Sequence, residues 1–202
     1  MEHQLAMNER NYALPAAAAC LAAIGLPLYW IIILVVGNAD DWNAMASQRF
    51  DAADVAFLVL GGLMMVAYFG LRSWLQECLS YRTLNAPLLV QIGLTGVFHV
   101  VIFLIALSTL MLPADSSAML GVTAFIGFSI LFGLVDLVIA ILLLRDHREL
   151  PGLLIFYALV SAVLGVLQLT VILLIGALVL LPLQMIILAL TLMYRPDVLE
   201  VI

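Results

Sequence analysis

From Gly152 to Tyr194 the chain runs 43 residues without a formal charge. As one helix this run would be ~65 Å long, about twice the ~30 Å hydrocarbon layer of a bilayer. It must therefore fold back on itself as two spans. The polar residues Gln168 and Thr170 sit near its middle, which places the turn between about Leu169 and Gly176. The whole chain shares this solvent. Of its 202 residues, 66% are hydrophobic and 10% are charged, against about 25% charged in an ordinary soluble domain. Nothing is left over for a separate soluble unit, so residues 1–202 read as one transmembrane domain.

The other apolar runs give four more spans. The sequence predicts helices over 13–36, 55–71, 87–112 and 118–144, followed by 152–170 and 176–194. Small residues lead up to Cys20, as before a signal cleavage site, but the hydrophobic segment lies mainly after that point. The first run is thus read as an uncleaved span, weakened or kinked at Pro27. No Gly or Pro follows Leu71 until Pro87, so the second helix is expected to continue through Arg82. Asn38 to Asp54 is the longest polar segment. It reads as a solvated acidic connection, within which Trp42, Met45, Arg49 and Phe50 fit a short interfacial helix. LPLYWII in the first span loosely echoes LPLQMII in the last, too short a match to carry an inverted repeat.

Charge sets an expected orientation. With six spans, Arg10, Arg72, Arg82, Arg145, Arg148 and Arg195 fall on one side, and Arg49 falls on the other. The positive-inside rule puts both termini in the cytoplasm. The fold class is all-α, a polytopic integral membrane helix bundle of six transmembrane helices. The compact, loop-poor design suits a bacterial inner membrane. A net charge of −6 with no lysine argues against nucleic acid and against a basic lipid-binding patch. Two cysteines and three histidines at scattered positions give neither a disulfide frame nor zinc spacing. No metal and no cofactor are expected. The expected partners are the lipid bilayer itself and either further copies of the chain or other membrane subunits.

Chemistry is sought at membrane depth. Asp136 stands in the run AFIGFSILFGLVDLVIAILLL. A carboxylate at a helix centre costs roughly 2.5–3.5 kcal/mol on insertion scales. Counting 1.5 Å per residue from each span's cytoplasmic end gives ~13 Å for Asp136, ~18 Å for His99, ~16 Å for Gln184 and ~15 Å for Ser161. Four polar side chains from four spans therefore meet near one level. Gly133 and Ala140 flank Asp136 on its own face, so a neighbouring helix can approach closely. Gln91, Thr95 and His99 form a polar stripe on the third span. Tyr157, Ser161, Gly165 and Gln168 share a face of the fifth.

An acid and an imidazole together in hydrocarbon can share one proton. The first functional expectation is thus a proton-linked channel or carrier. It would use an Asp136/His99 pair, with Gln184, Ser161, Thr95 and Gln91 along the pathway. The alternative is an accessory or assembly subunit in which these groups only tie helices together. No Gly-x-Ser-x-Gly, no His-Glu-x-x-His and no paired aspartates for a metal-held headgroup are present, so the sequence gives no support for an enzyme.

Overall fold

A computed structural model describes residues 12–36, 50–111, 114–170 and 174–194. The described residues form six α-helices: α1 (Ala13–Val36), α2 (Ala52–Cys78), α3 (Asn85–Ser108), α4 (Ala114–Arg145), α5 (Gly152–Leu169) and α6 (Leu174–Met193). A 3-10 turn, His147–Glu149, links α4 to α5. Among the described residues there is no strand. Five of the helices are long and apolar enough to cross a membrane, and α6 has a shorter apolar stretch, Leu178–Met193. The protein is a multi-pass membrane helix bundle. The long uncharged run divides where its polar residues indicated, with α5 ending at Leu169 and α6 starting at Leu174.

The start of α2 is written locally. Asp51 Oδ1 accepts from the Ala53 and Asp54 amides at 2.7 and 3.4 Å, and Asp54 Oδ2 accepts from the Asp51 amide at 2.9 Å. This reciprocal capping box begins the helix at Ala52, three residues before the expected start. Its end corrects the expected run to Arg82. The helix stops at Cys78, Ser80 takes φ 53°, and the Tyr81 amide folds back to the Leu75 carbonyl at 2.9 Å. A non-glycine residue in that region costs about 1–2 kcal/mol. The turn is held by tertiary bonds: the Tyr81 hydroxyl donates to Asp146 Oδ2 at 2.8 Å, and Asn85 Oδ1 accepts from Arg72 and from Gln76. Trp42, Met45 and Arg49 of the expected interfacial helix, with Arg10 and Arg195, lie outside the described residues.

Each helix packs on its neighbours in sequence, and α6 closes against α1 and touches α2. The result is an antiparallel ring. Side-chain contacts fix the register. Tyr29 stacks on Phe57 between α1 and α2. Met65 lies against Gly96 between α2 and α3. The Phe98 ring meets those of Phe125, Phe128 and Phe132 between α3 and α4. Between α4 and α5 the backbones themselves meet: a Cβ on Gly133 would stand 2.8 Å from the Gly165 carbonyl oxygen, and the reverse contact is the same. Only glycine allows that approach.

The two halves of the ring differ. Toward the end bearing Arg72, Arg82, Arg145 and Arg148, the interior is closed by Leu71, Trp74, Leu75, Leu88, Leu143 and Leu154, all fully buried. Toward the other end the interior is aromatic and half-buried, and Trp30 of α1 reaches Phe125 of α4 with ring centroids 6.3 Å apart.

The glycine contact yields a test. Gly165→Leu forces a side chain into a carbonyl that cannot move aside, and overpacking of this kind costs about 1–3 kcal/mol or more. Gly62→Leu adds its side chain where no atom lies within 4 Å. Thermal unfolding in detergent is expected to show a clear loss for the first and no loss for the second. Equal midpoints would contradict the close α4–α5 packing.

Candidate functional site

The glycine contact also builds the site. Gly133 and Asp136 lie one turn apart on α4, and Gly165 and Ser161 lie one turn apart on α5. Bringing the glycines together in antiparallel register sets Asp136 opposite Ser161. Gln184 of α6 then bridges them: its Nε2 donates to Ser161 Oγ at 2.8 Å and to Asp136 Oδ1 at 3.4 Å. All three side chains are sealed from solvent, with Gln184 and Ser161 at 0% and Asp136 at 1% exposure. The three helices that carry them are thereby joined at one point inside the bundle.

The remaining walls come from α2, α3 and α5. Met65 faces Gly96 and Arg72 bonds Asn85, so Tyr68 stands opposite Gln91. The Tyr68 hydroxyl lies beside the Gln91 amide, short of hydrogen-bond geometry, and within electrostatic range of Asp136. The Tyr157 hydroxyl lies within the same range of Asp136 and beside Ser161. Thus α2 to α6 each point a polar group at one centre. At this level α1 offers alanines, Ala16 and Ala19, both fully buried.

Two features of this centre are unusual. Among the described residues, no cation pairs with Asp136. Five buried side-chain oxygens among the described residues have no hydrogen-bond partner: the Tyr68 and Tyr157 hydroxyls, within electrostatic range of the acid, and the Oε1 atoms of Gln91, Gln168 and Gln184. Buried polar groups are nearly always satisfied, and leaving one unsatisfied costs about 1–3 kcal/mol.

The expected His99–Asp136 pair does not form. No hydrogen bond or ion pair joins them among the described residues. His99 Nδ1 instead meets the Thr95 carbonyl at 2.7 Å, and its ring lies on Phe57 with centroids 4.4 Å apart. It covers Gly61, where a Cβ would overlap the ring. The reason is register. The contacts of Ser108 with Ser117 and of Phe98 with Phe128 set Gln91 level with Asp136. His99, two turns further along α3, then lies ~12 Å beyond that level. α4 projects about one turn past the start of α3, so depths counted from each helix's own end had different origins. Thr95 is likewise committed locally, donating to the Gln91 carbonyl at 2.8 Å. Of the six candidates, Asp136, Gln184 and Ser161 are bonded together and Gln91 joins their wall. Thr95 and His99 continue the stripe away from them.

Tyr68 was not singled out from the sequence, and Tyr157 only as part of a helix face. A tyrosine four residues from Arg72 reads as a headgroup anchor. The signal that distinguishes it is the small-residue face of α1, which leaves room for a large ring at that level.

At the arginine-bearing end a polar latch covers the apolar layer. Arg145 holds Asp146 through Nε at 2.9 Å and a second guanidinium nitrogen at 3.1 Å. The Arg145 and Tyr81 hydrogen bonds keep the Asp146 carboxyl below its ordinary range. Burial, then the bond to Asp146, pushes the Tyr81 hydroxyl up to about 12. The signs follow. Asp146's contribution is present above the ordinary carboxylate range and is lost as pH falls through its lowered value. Tyr81's is present below the ordinary tyrosine value of about 10 and is lost as pH rises through about 12. The tyrosinate absorbance of wild type minus Tyr81→Phe is expected to titrate near 12. A difference curve centred near 10, the ordinary tyrosine value, would mean that the latch is open in solution.

No protein-family model matches this chain, and neither a curated protein nor a solved structure is similar to it. The functional reading therefore rests on the geometry of the site.

Proposed function

We propose that this protein is a small proton-linked channel or carrier, with Asp136 as the group that takes up and releases the proton. The observation that carries the reading is a fully buried acid, with no cation beside it among the described residues and with two tyrosine hydroxyls that lack partners within electrostatic range. Such a centre serves both protonation states. An ionised carboxylate accepts from Gln184 Nε2, whereas a neutral carboxyl is itself a donor, and the buried oxygens without partners in its wall are acceptors. A group with partners in either state can change state without unfolding its surroundings. Intramembrane acids are rare and are functional by default. Gln184 and Ser161 orient the acid in this reading. Gln91, Thr95 and His99 mark the route from it toward the aromatic half.

We further propose that the arginine-bearing end faces the cytoplasm. The described arginines, Arg72, Arg82, Arg145 and Arg148, sit at the α2–α3 and α4–α5 connections, both at that end, which the positive-inside rule assigns to the cytoplasm. Both termini then lie there, and the compact design fits a bacterial inner membrane.

A second reading, an accessory subunit or a homo-oligomer, is favoured by the outer surface. Gly62, Gly93 and Gly127 are exposed on α2, α3 and α4, each with open space where a Cβ would be. Small residues on a lipid-facing surface let another helix approach.

Reconstitution in vesicles separates these readings. Proton flux is expected in wild type, to fall about tenfold or more in Asp136→Asn and to fall less in His99→Ala, which alters the route and leaves the acid in place. Flux unchanged in Asp136→Asn would overturn the proton-linked reading. Absence of flux, with copurification of another membrane protein at fixed ratio, would establish the subunit reading.

A further inference from the structure

Resting on that reading, we infer that the ion exchanged for the proton is a small monovalent metal cation, bound at Asp136 by side-chain oxygens. The buried atoms without partners on the residues that wall this centre are oxygens: the hydroxyls of Tyr68 and Tyr157 and the Oε1 atoms of Gln91 and Gln184, with Gln168 Oε1 two turns from Ser161 along α5. Ser161 Oγ adds another, sharing the Gln184 Nε2 donor with the carboxylate. Carboxylate, carbonyl and hydroxyl oxygens suit hard cations, not the softer metals that seek imidazole or thiolate. His99 is committed elsewhere, on Thr95 and Phe57.

Charge selects the valence. The site holds one carboxylate, and the other groups facing it are neutral. α2 presents Tyr68, α3 Gln91, α5 Tyr157 and Ser161, and α6 Gln184, while α1 presents alanines. The titratable groups that face Asp136 are thus the two tyrosine hydroxyls. A divalent ion would leave an uncompensated positive charge in a dry interior, which is far more costly than a neutral pair. Exposure of 4% or less at every one of these residues means that the ion enters without its water, so the protein's oxygens must replace the hydration shell. The amide of Gln184 can supply its oxygen by a half-turn about its last torsion, because O and N occupy equivalent positions.

The exchange balances in charge. A neutral Asp136 carboxyl plus one monovalent cation gives a carboxylate–cation pair plus one proton, which leaves to water. The interior stays neutral on both sides of the step. That is the condition for an acid in hydrocarbon to cycle.

The test uses the full chain in detergent under weak buffering, titrated with sodium, lithium, potassium or choline chloride at constant ionic strength. Sodium is expected to release about one proton per chain and to raise the unfolding temperature, with choline doing neither. Asp136→Asn is expected to abolish both effects. Tyr68→Phe and Gln91→Leu, each removing one oxygen, are expected to weaken the apparent sodium affinity about tenfold with helicity unchanged. Equal responses to sodium and choline, or a sodium response that survives Asp136→Asn, would overturn the cation site. If Asp136→Asn fails to fold, unchanged sodium affinity in both Tyr68→Phe and Gln91→Leu would overturn it instead. The two proposals fail separately. Sodium-driven proton release without vesicle flux would leave the site and remove the transport reading. Asp136-dependent proton flux indifferent to sodium would do the opposite.

Discussion

A carboxyl group inside hydrocarbon has to be solvated by the protein's own side chains. Water offers that service at no structural expense, but a helix bundle can offer it only by bringing several helices to one point. Here five of the six helices do so. Asp136 comes from α4, Ser161 and Tyr157 from α5, Gln184 from α6, Gln91 from α3 and Tyr68 from α2. The sixth, α1, contributes by yielding space through alanines. The ring order and the antiparallel register are what let side chains from five helices reach a shared centre. If α4 and α5 were held a side chain's width apart, Ser161 and Gln184 could not both reach the acid. The backbone contact of Gly133 with Gly165 is therefore a condition of the polar centre as well as of the packing.

The helices were legible in the sequence because the physics that makes them is local and strong. Apolar length is set by membrane thickness, and the uncharged stretch after Pro151 had to fold back. The grouping of Asp136, Gln184 and Ser161 was legible for a related reason: depth along a span is nearly a linear function of residue number, and small residues flank the acid. His99 went astray through the same arithmetic. Depth is comparable between spans only when their ends are aligned, and the overhang of α4 past α3 is a tertiary fact. The end of α2 was hidden differently. Ser80 carries no turn signature, and its left-handed backbone is held by bonds to residues more than sixty positions away. Tyr68 was hidden because its hydroxyl is buried by an absence, the missing bulk of α1.

The distribution of buried residues gives the centre two unlike approaches. From the arginine-bearing end the distance is short, since Asp136 is nine residues from Arg145, or ~13 Å along the helix. That path is filled by Trp74, Leu75, Leu88, Leu143 and Leu154, packed without exposure, with the Tyr81–Asp146–Arg145 latch above them. From the opposite end the distance is longer, but the interior is lined by half-buried rings and by the stripe through Thr95 and His99. Aliphatic side chains that interdigitate to crystal-like density yield only by moving whole helices apart. Aromatic rings around a partly exposed space can give way by rotation of individual side chains. The two ends of the bundle thus differ in packing, with interdigitated, fully buried side chains under a polar latch at one and half-buried rings at the other.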